Sequence, residues 1–381
     1  MLSPATLAYS RPALAAFGAM GVLWGTFAAV LPDLKAMLGV DEAQLGLLIF
    51  LTPIAAISAM LVAPAFGAAL GRVALPLAVA LMAVGFALPG QASVIWMFPL
   101  AMACAGAATG LTDVLMNARV AAMETARGLH LMNLAHAVYS FGYAGGAILT
   151  GVMRGAGWGP DAVMATMAGI GLVCAALSIE ADGRIDGLRK PKDGTAFPLG
   201  LVPVIGGGIV LIAFMTENAA ENWSALHIEK TLGGSPEEGA LGPAALALTM
   251  GFARLGGQGL AGRVNPFTLL RVGAVIAAIG ALIASQASAP VGAYAGFIVM
   301  GIGASVLAPT AFSLVGQLAR PEARARAIAR ATLLGYFGYF VGPPLLGVIA
   351  GAFGLRAAFV WAALLVGMVF LLAPMLARQR T

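Results

Sequence analysis

The sequence is poor in charged residues. Only 10% of its 381 residues are Asp, Glu, Lys or Arg, whereas 60% are hydrophobic. A soluble domain carries about 25% charged residues, so this chain lacks the side chains needed to cover a water-facing surface. The composition excludes an ordinary soluble protein and predicts that lipid surrounds most of the chain.

Cysteine, histidine and catalytic motifs are also scarce. The two cysteines, Cys104 and Cys174, lie in apolar runs, and the three histidines have no metal-ligand spacing. We therefore expect neither a disulfide framework nor a metal site. The sequence has no GxxxxGK(S/T) phosphate loop or nucleophile elbow, which predicts no enzyme activity, no cofactor and no ATP-driven pumping by this chain alone. Its Lys and Arg residues form short clusters between apolar runs, so no nucleic-acid partner is expected.

Long apolar segments make up most of the chain. A membrane-spanning helix needs about 20 mostly apolar residues. Twelve stretches meet this length, at residues 12–32, 44–70, 73–90, 93–118, 131–153, 160–180, 199–223, 239–260, 266–286, 291–318, 327–351 and 356–377. They predict an all-α transmembrane fold in which small residues allow close helix packing and Pro343-Pro344 kinks a helix rather than ending it.

Basic residues are distributed unequally between the predicted loops. With the N-terminus placed in the cytoplasm, the opposite side holds only four of the 21 Lys and Arg residues: Lys35, Arg154, Lys230 and Arg356. Because cytoplasmic loops of membrane proteins carry an excess of Lys and Arg, this asymmetry favours that orientation. We predict a multi-pass protein of the bacterial inner membrane with both termini in the cytoplasm.

The chain also looks internally duplicated. The frame GYxxGxxxxGV begins at Gly142 and again at Gly338, an offset of 196 residues. A hydrophilic segment rich in Gly, Pro and charge separates the two copies. We predict a six-helix bundle at residues 1–181, a cytoplasmic linker at 182–198 and a second six-helix bundle at 199–381. Duplicated transporter folds bind their solutes where the repeats meet.

Twelve spans, a charged central linker and a repeated six-helix half resemble the major facilitator superfamily over essentially the whole chain. That family usually carries a Gly-x-Leu-x-Asp-Arg-x-Gly-Arg loop after its second helix. Here only Gly71-Arg72 matches, and Ala68 and Ala69 stand at the Asp and first Arg positions. The resemblance therefore does not imply the family's usual charge-relay gate.

Two polar segments, residues 113–142 and 217–224, resemble a bacterial branch near the fucose-permease and rhizopine-permease-like carriers. In sugar symporters of that type an acid on the fourth helix is tied to proton coupling, and Asp113 falls at a comparable place. Those symporters also use an acid on the first helix, and here the first span has none before Asp33.

Ionisable residues inside apolar spans are the predicted proton-coupling groups. Inserting such a group costs about 2.5–3.5 kcal/mol, so it is expected to face a bundle interior or water. Asp113, near the cytoplasmic end of its predicted span, His136 and Glu217 meet this description. Alternatives remain: Asp113 can pair with Arg119 or Arg254 to hold helices together, and His136 can make an ordinary interhelical hydrogen bond.

Polar and aromatic residues near these groups are the predicted solute-binding residues. Carboxylates and amides suit a polyhydroxylated or amine-bearing solute, and an indole suits a sugar ring. The predicted set is Trp24, Asn117, Asn133, Tyr139, Tyr143, Asn218, Glu221, Asn222, Trp223, Gln317, Tyr336 and Tyr339. The polar face of the fifth span is expected to pack on that of the fourth. Glu221 can instead be solvated at the outer interface, Trp223 can be an interfacial anchor, and the other aromatics can be packing residues.

These patterns predict a monomeric secondary active transporter in the lipid bilayer. It would move a small polar solute, such as a sugar, a polyol or an amine-bearing derivative, by alternating access coupled to protons. Eighteen Met and 18 Phe residues leave open an exporter of amphipathic compounds with an adaptable apolar pocket. A non-transporting receptor is a third reading, although no soluble signalling domain accompanies the spans.

Overall fold

We describe the protein from a computed structural model covering residues 4–183, 199–256, 264–320 and 323–379. All regular elements in these ranges are helical. The chain separates into two compact units: a first unit of Met1–Val40 with Leu48–Pro191, and a second unit of Asp41–Leu47 with Lys192–Thr381. Apart from Asp182 and Gly183, the predicted linker lies outside the described residues.

Each predicted span contains at least one described helix. The helices preceding the predicted linker are α1 (Pro4–Leu38), α2 (Glu42–Ile49), α3 (Leu51–Leu70), α4 (Ala74–Ala87), α5 (Met97–Arg127), α6 (Met132–Gly155) and α7 (Pro160–Leu177). Those following it are α8 (Val202–Leu226), α9 (Pro236–Gly256), α10 (Pro266–Gln286), α11 (Pro290–Ala304), α12 (Leu307–Leu318), α13 (Arg324–Phe353), α14 (Leu355–Gly367) and α15 (Val369–Ala377). Three predicted spans consist of two consecutive helices each: α2 with α3, α11 with α12, and α14 with α15.

Apolar composition supports a membrane location for most of these helices. Nine helical stretches in the described part of the chain are long and apolar enough to cross a membrane. One of them, Glu42–Gln91, has 50 residues and covers two predicted spans. The helices α6 and α9 fall outside this apolar set because they carry more polar residues. Pro343 and Pro344 lie inside the continuous helix α13, so the prediction that these prolines do not end the helix is confirmed.

Glycines bring α1 and α6 into direct backbone contact. A β-carbon on Gly21 would collide with the carbonyl oxygen of Tyr139, and one on Gly25 would collide with that of Tyr143. In the opposite direction, a β-carbon on Gly146 would collide with the carbonyl oxygen of Val22. Small residues four apart allow helices to approach this closely when apolar surface no longer drives their association.

The repeated sequence frame serves the same kind of contact in both units. Gly142 opens its first copy, and a β-carbon there would lie 2.8 Å from the carbonyl oxygen of Gly18 on α1. Gly338 opens the second copy on α13, and a β-carbon there would lie 2.5 Å from the carbonyl oxygen of Leu211 on α8. The frame therefore marks close packing onto the first full-length helix of each unit.

The predicted packing of the fourth and fifth spans is wrong. The helix α6 packs mainly on α1, whereas α5 packs mainly on α3 and α4. The reason lies again in small residues: β-carbons on Gly106 and Gly110 would collide with the carbonyl oxygens of Thr52 and Ala56 on α3. Close backbone contact at glycines therefore decides which helices pack together here, more than their order in the sequence does.

The helix α5 extends well beyond its predicted end near residue 118. It continues to Arg127 and stops at Gly128, whose φ of +63° suits glycine. Within this extension Arg119 forms a bidentate ion pair with Glu180, with nitrogen–oxygen distances of 2.7 and 2.8 Å. Asp113 consequently lies near the middle of α5 rather than near one end of the span.

A buried ion pair joins α1 to α6. Arg154 Nε and Nη2 donate hydrogen bonds to the two carboxylate oxygens of Asp33, both at 2.7 Å. Arg154 Nη1 donates to the carbonyl oxygen of Ala29, also at 2.7 Å. The Arg154 side chain is 1% exposed and that of Asp33 is 32% exposed. Arg154, counted among the loop charges in the orientation argument, is therefore a buried helix residue.

Candidate functional site

Polar groups of the first unit lie on α5 and α6. Asn117 Nδ2 donates to Asp113 Oδ1 at 3.1 Å and to the Asp113 carbonyl at 2.8 Å. His136 is half-buried, and its ring meets that of Phe17 edge to face at 5.1 Å. Ser140 donates to the His136 carbonyl at 3.1 Å. The structure thus joins Asp113 to Asn117, and it places His136 against α1.

The predicted aromatic residues of the first unit differ in their surroundings. Trp24 packs edge to face on Phe86 at 5.0 Å, which is a packing contact between α1 and α4. Tyr143 is buried and lies 6.1 Å from the half-buried ring of Tyr139. Asn133 is exposed at the beginning of α6. Of these residues, Tyr139 presents the most accessible aromatic surface on α6.

The second unit concentrates its polar residues on one face of α8. Phe214, Glu217, Asn218, Glu221 and Asn222 recur at i, i+3, i+4, i+7 and i+8, which places them on one side of a helix. Glu217, Asn218 and Asn222 are only 5–6% exposed, and Glu221 is half-buried. Their inward direction agrees with the prediction that polar groups within a span face the bundle interior.

Among the described residues, one guanidinium accompanies the two carboxylates of this face. Arg254, near the end of α9, lies close enough to interact electrostatically with both Glu217 and Glu221, and the two carboxylates also interact with each other. Two acids and one base cannot all be paired one to one. The cluster therefore has room for one additional positive charge, from a proton or from a solute.

An aromatic group adjoins these charges. The ring of Phe214 stacks on Tyr339 of α13 at a centroid distance of 4.8 Å and an interplanar angle of 30°. It also meets Tyr336 edge to face at 5.9 Å. All three rings are half-buried. Sequence analysis identified both tyrosines but missed Phe214, although its spacing of three residues from Glu217 was a usable signal.

The remaining predicted residues lie apart from this face. Trp223 is fully buried, and its ring contacts the position of Gly347 on α13, where a β-carbon would lie 3.3 Å away. An interfacial anchor would have an exposed indole, so burial excludes the interfacial-anchor alternative for Trp223. Gln317 is exposed and donates to Ser313 one turn earlier on α12, at 2.9 Å.

Several buried polar atoms on α8 and on His227, the residue that follows it, have no hydrogen-bond partner among the described residues. They are Asn218 Oδ1, Trp223 Nε1, Ser224 Oγ and His227 Nδ1. Leaving a polar atom buried without a partner costs about 1–3 kcal/mol, so such atoms commonly mark places where water or a ligand binds. No group of three His, Cys, Asp or Glu residues with metal-binding geometry occurs in the part of the chain described here.

Comparison with known proteins identifies the family. The model of the Major Facilitator Superfamily matches residues 13–288 and 205–381. An uncharacterized MFS-type transporter of Yersinia pestis is 30% identical over 354 residues, covering 92% of this chain and 91% of that one. The chain belongs to the major facilitator superfamily. As a superfamily member it is a multi-pass membrane transporter for small-molecule solutes and not an enzyme.

Solved structures support the same fold at low sequence identity. The nucleoside transporter NupG has a TM-score of 0.78 and 13% identity, covering 97% of this superfamily member and 98% of NupG. A D-xylose–proton symporter has a TM-score of 0.73 and 16% identity, covering 97% of each chain. The predicted fold and family are confirmed. The branch near the fucose-permease and rhizopine-permease-like carriers stays a prediction.

Proposed function

We propose that this transporter moves a small polar solute by alternating access and couples the movement to protons. The observation that carries the proposal is the face of α8 on which Glu217, Asn218, Glu221 and Asn222 lie together. Buried carboxylates and amides can exchange hydrogen bonds with hydroxyl or amino groups that leave water. The nearby rings of Phe214, Tyr336 and Tyr339 suit the apolar face of a sugar or a cationic amine.

Proton coupling is assigned first to Glu217. It is the most buried carboxylate of the α8 face, and the guanidinium of Arg254 that interacts with it is shared with Glu221. Asp113 and His136 are the proposed coupling groups of the first unit. Two structural neighbours are a nucleoside transporter and a D-xylose–proton symporter, which is compatible with a polar, hydroxylated solute. Likeness at this level of identity supports the fold alone.

The solute is best sought by thermal unfolding of purified protein against sugars, polyols, amino sugars and amines. A ligand at about 100 times its Kd stabilises the folded state by about 2.7 kcal/mol, a shift readily measured. The ligand is then taken into proteoliposomes with and without an imposed pH gradient. Uptake that ignores the gradient for every transported solute contradicts proton coupling.

Glu217→Gln separates binding from coupling. The amide keeps the shape and hydrogen bonding of the side chain but cannot release a proton. We expect gradient-driven accumulation to fall by about tenfold or more, while solute counterflow without a gradient remains. Glu237→Gln, which changes an exposed acid at the beginning of α9, is the matched control. Equal accumulation by both variants would exclude Glu217 as the coupling residue.

An exporter of amphipathic compounds is the second candidate. The half-buried aromatic group beside two carboxylates is the observation that favours it, because such a surface also suits an amphipathic cation. Resistance of a deletion strain to amphipathic cations, compared with growth on polar solutes, distinguishes the two directions of transport.

We also propose that both termini lie in the cytoplasm and that the transporter acts as a monomer in the inner membrane. The distribution of Lys and Arg supports the orientation. Fusion of a reporter active only in the cytoplasm to the C-terminus tests it, and an inactive fusion in a fully expressed protein contradicts it. Size-exclusion chromatography with light scattering measures the oligomeric state.

A further inference from the structure

The first unit contains a cavity away from the α8 face and from the polar residues of α5 and α6. It has a volume of about 810 Å³ and lies where α1 and α4 begin and α7 ends. Its walls are mainly apolar, with Leu77 on α4, Leu172 on α7 and Ile179 beyond the end of α7. These three side chains are 40–59% exposed on the outside of the bundle. In a membrane transporter such exposed apolar walls face lipid hydrocarbon.

Two guanidinium groups stand at the polar end of this cavity. Arg11 on α1 donates one hydrogen bond, from Nη2 to the carbonyl oxygen of Ile179 at 3.1 Å. A guanidinium has five N–H donors, so four remain for another partner. Arg72, in the turn before α4, is exposed and makes no hydrogen bond or ion pair with the described residues.

The acidic groups nearby leave a net positive charge. Glu180 lines the cavity but is already held by Arg119 in the bidentate ion pair. Asp182 lines an adjoining cavity of about 500 Å³ together with Arg72. Within the described part of the chain, counting Arg11 and Arg72 against Asp182, with Glu180 neutralised by Arg119, leaves one positive charge. One phosphate diester carries the single negative charge that balances it.

We propose that this cavity binds one anionic glycerophospholipid of the bilayer, such as phosphatidylglycerol. The phosphate lies between Arg11 and Arg72, and an acyl chain follows the groove between α4 and α7. Basic pockets at the ends of spanning helices bind lipid headgroups through charge-assisted hydrogen bonds. The apolar walls favour a lipid over a soluble anion, because a free phosphate has no hydrocarbon chain to pack against them.

Native mass spectrometry of the delipidated full-length protein tests this site. The probes are phosphatidylglycerol, phosphatidylcholine with the same acyl chains, and glycerol phosphate without acyl chains. We expect phosphatidylglycerol to be retained about tenfold better than phosphatidylcholine, and glycerol phosphate not to compete. Equal retention of the two lipids, or competition by glycerol phosphate at lipid concentrations, overturns the proposal.

Three variants locate the effect. The double variant Arg11→Gln with Arg72→Gln is expected to lose the tenfold preference, because it removes both guanidiniums from the polar end of the cavity. Both residues are exposed, and an unchanged unfolding midpoint shows that the fold is kept. Arg271→Gln is the matched control, and this variant should retain the preference. Arg271 is an exposed residue of the second unit, and its guanidinium lies 4.2 Å from the centroid of the Phe370 ring. Leu172→Trp fills the groove and is expected to reduce lipid retention with both guanidiniums in place. A preference that survives the double arginine change overturns the assignment.

Discussion

The ion pair between Asp33 and Arg154 gives an asymmetric prediction about stability. Changing Asp33 to Asn leaves the guanidinium of Arg154, whose side chain is 1% exposed, as a buried charge without its counterion. Breaking a buried pair in this way costs about 3–5 kcal/mol of unfolding free energy. Changing Arg154 to Met leaves the carboxylate of Asp33, which is 32% exposed and can be hydrated. That change should cost only about 1–3 kcal/mol for the lost charge-assisted hydrogen bonds.

Reversible unfolding in mixed micelles, titrated with sodium dodecyl sulfate and followed by circular dichroism, measures both costs. The double variant completes a thermodynamic cycle, and its cost should fall below the sum of the single costs by about 2 kcal/mol. Arg271→Met is a suitable control, because an exposed guanidinium over an aromatic ring contributes only about 0.5–1 kcal/mol. A cost for Asp33→Asn no larger than that for Arg154→Met would refute the argument from burial.

Three further predictions concern packing, the solute site and the loop after α5. Gly146→Ala should destabilise the protein by about 1–3 kcal/mol in the same unfolding assay, because the new β-carbon would collide with the backbone of α1. Gly145→Ala is the control: this position has open space around it, so the change should be neutral or slightly stabilising. Phe214→Ala should raise the solute Kd about 2- to 10-fold in calorimetry, while Phe252→Ala on the exposed side of α9 leaves it unchanged. Glu124→Ala should lower the free energy of unfolding by about 1 kcal/mol, because the Glu124 carboxylate accepts hydrogen bonds from the backbone N–H groups of Leu131 and Met132 at the beginning of α6. Unchanged stability would contradict this capping role.

Apolar length alone was enough to predict where helices form. The span predicted at residues 266–286 matches α10, because both its ends carry clear breaks in hydropathy and α10 begins at a proline. The end of α5 was not predictable in the same way. Its last turns contain Arg119, Glu124 and Arg127, and a charged helix end looks like a loop until its partners, such as Glu180, are known.

The polar residues of the α8 face could be predicted from the sequence, but the apolar residues beside them could not. Acids and amides inside a span cannot be lipid-facing, so Glu217 and Asn218 were conspicuous in sequence. Phe214 was less conspicuous, because a phenylalanine in a span usually faces lipid or packs in the core. Its spacing from Glu217 placed it on the polar face, but the Tyr339 ring stacked on it is visible only in the structure. Helix pairing was also missed: Gly21 and Gly25 lie four residues apart on α1, but glycine is too abundant in this chain for spacing alone to identify a contact.

The backbone contact between α1 and α6 has a consequence for motion. Carbonyl oxygens of each helix lie where the other helix has no side chain, so no flexible layer separates them. Neither helix can rotate about its own axis without its backbone colliding with that of the other. We therefore expect α1 and α6 to move together as one rigid body. We expect bending during a transport cycle to occur instead in the three spans that consist of two helices each. In these spans the first helix ends at or next to Phe50, Ser305 and Met368, respectively.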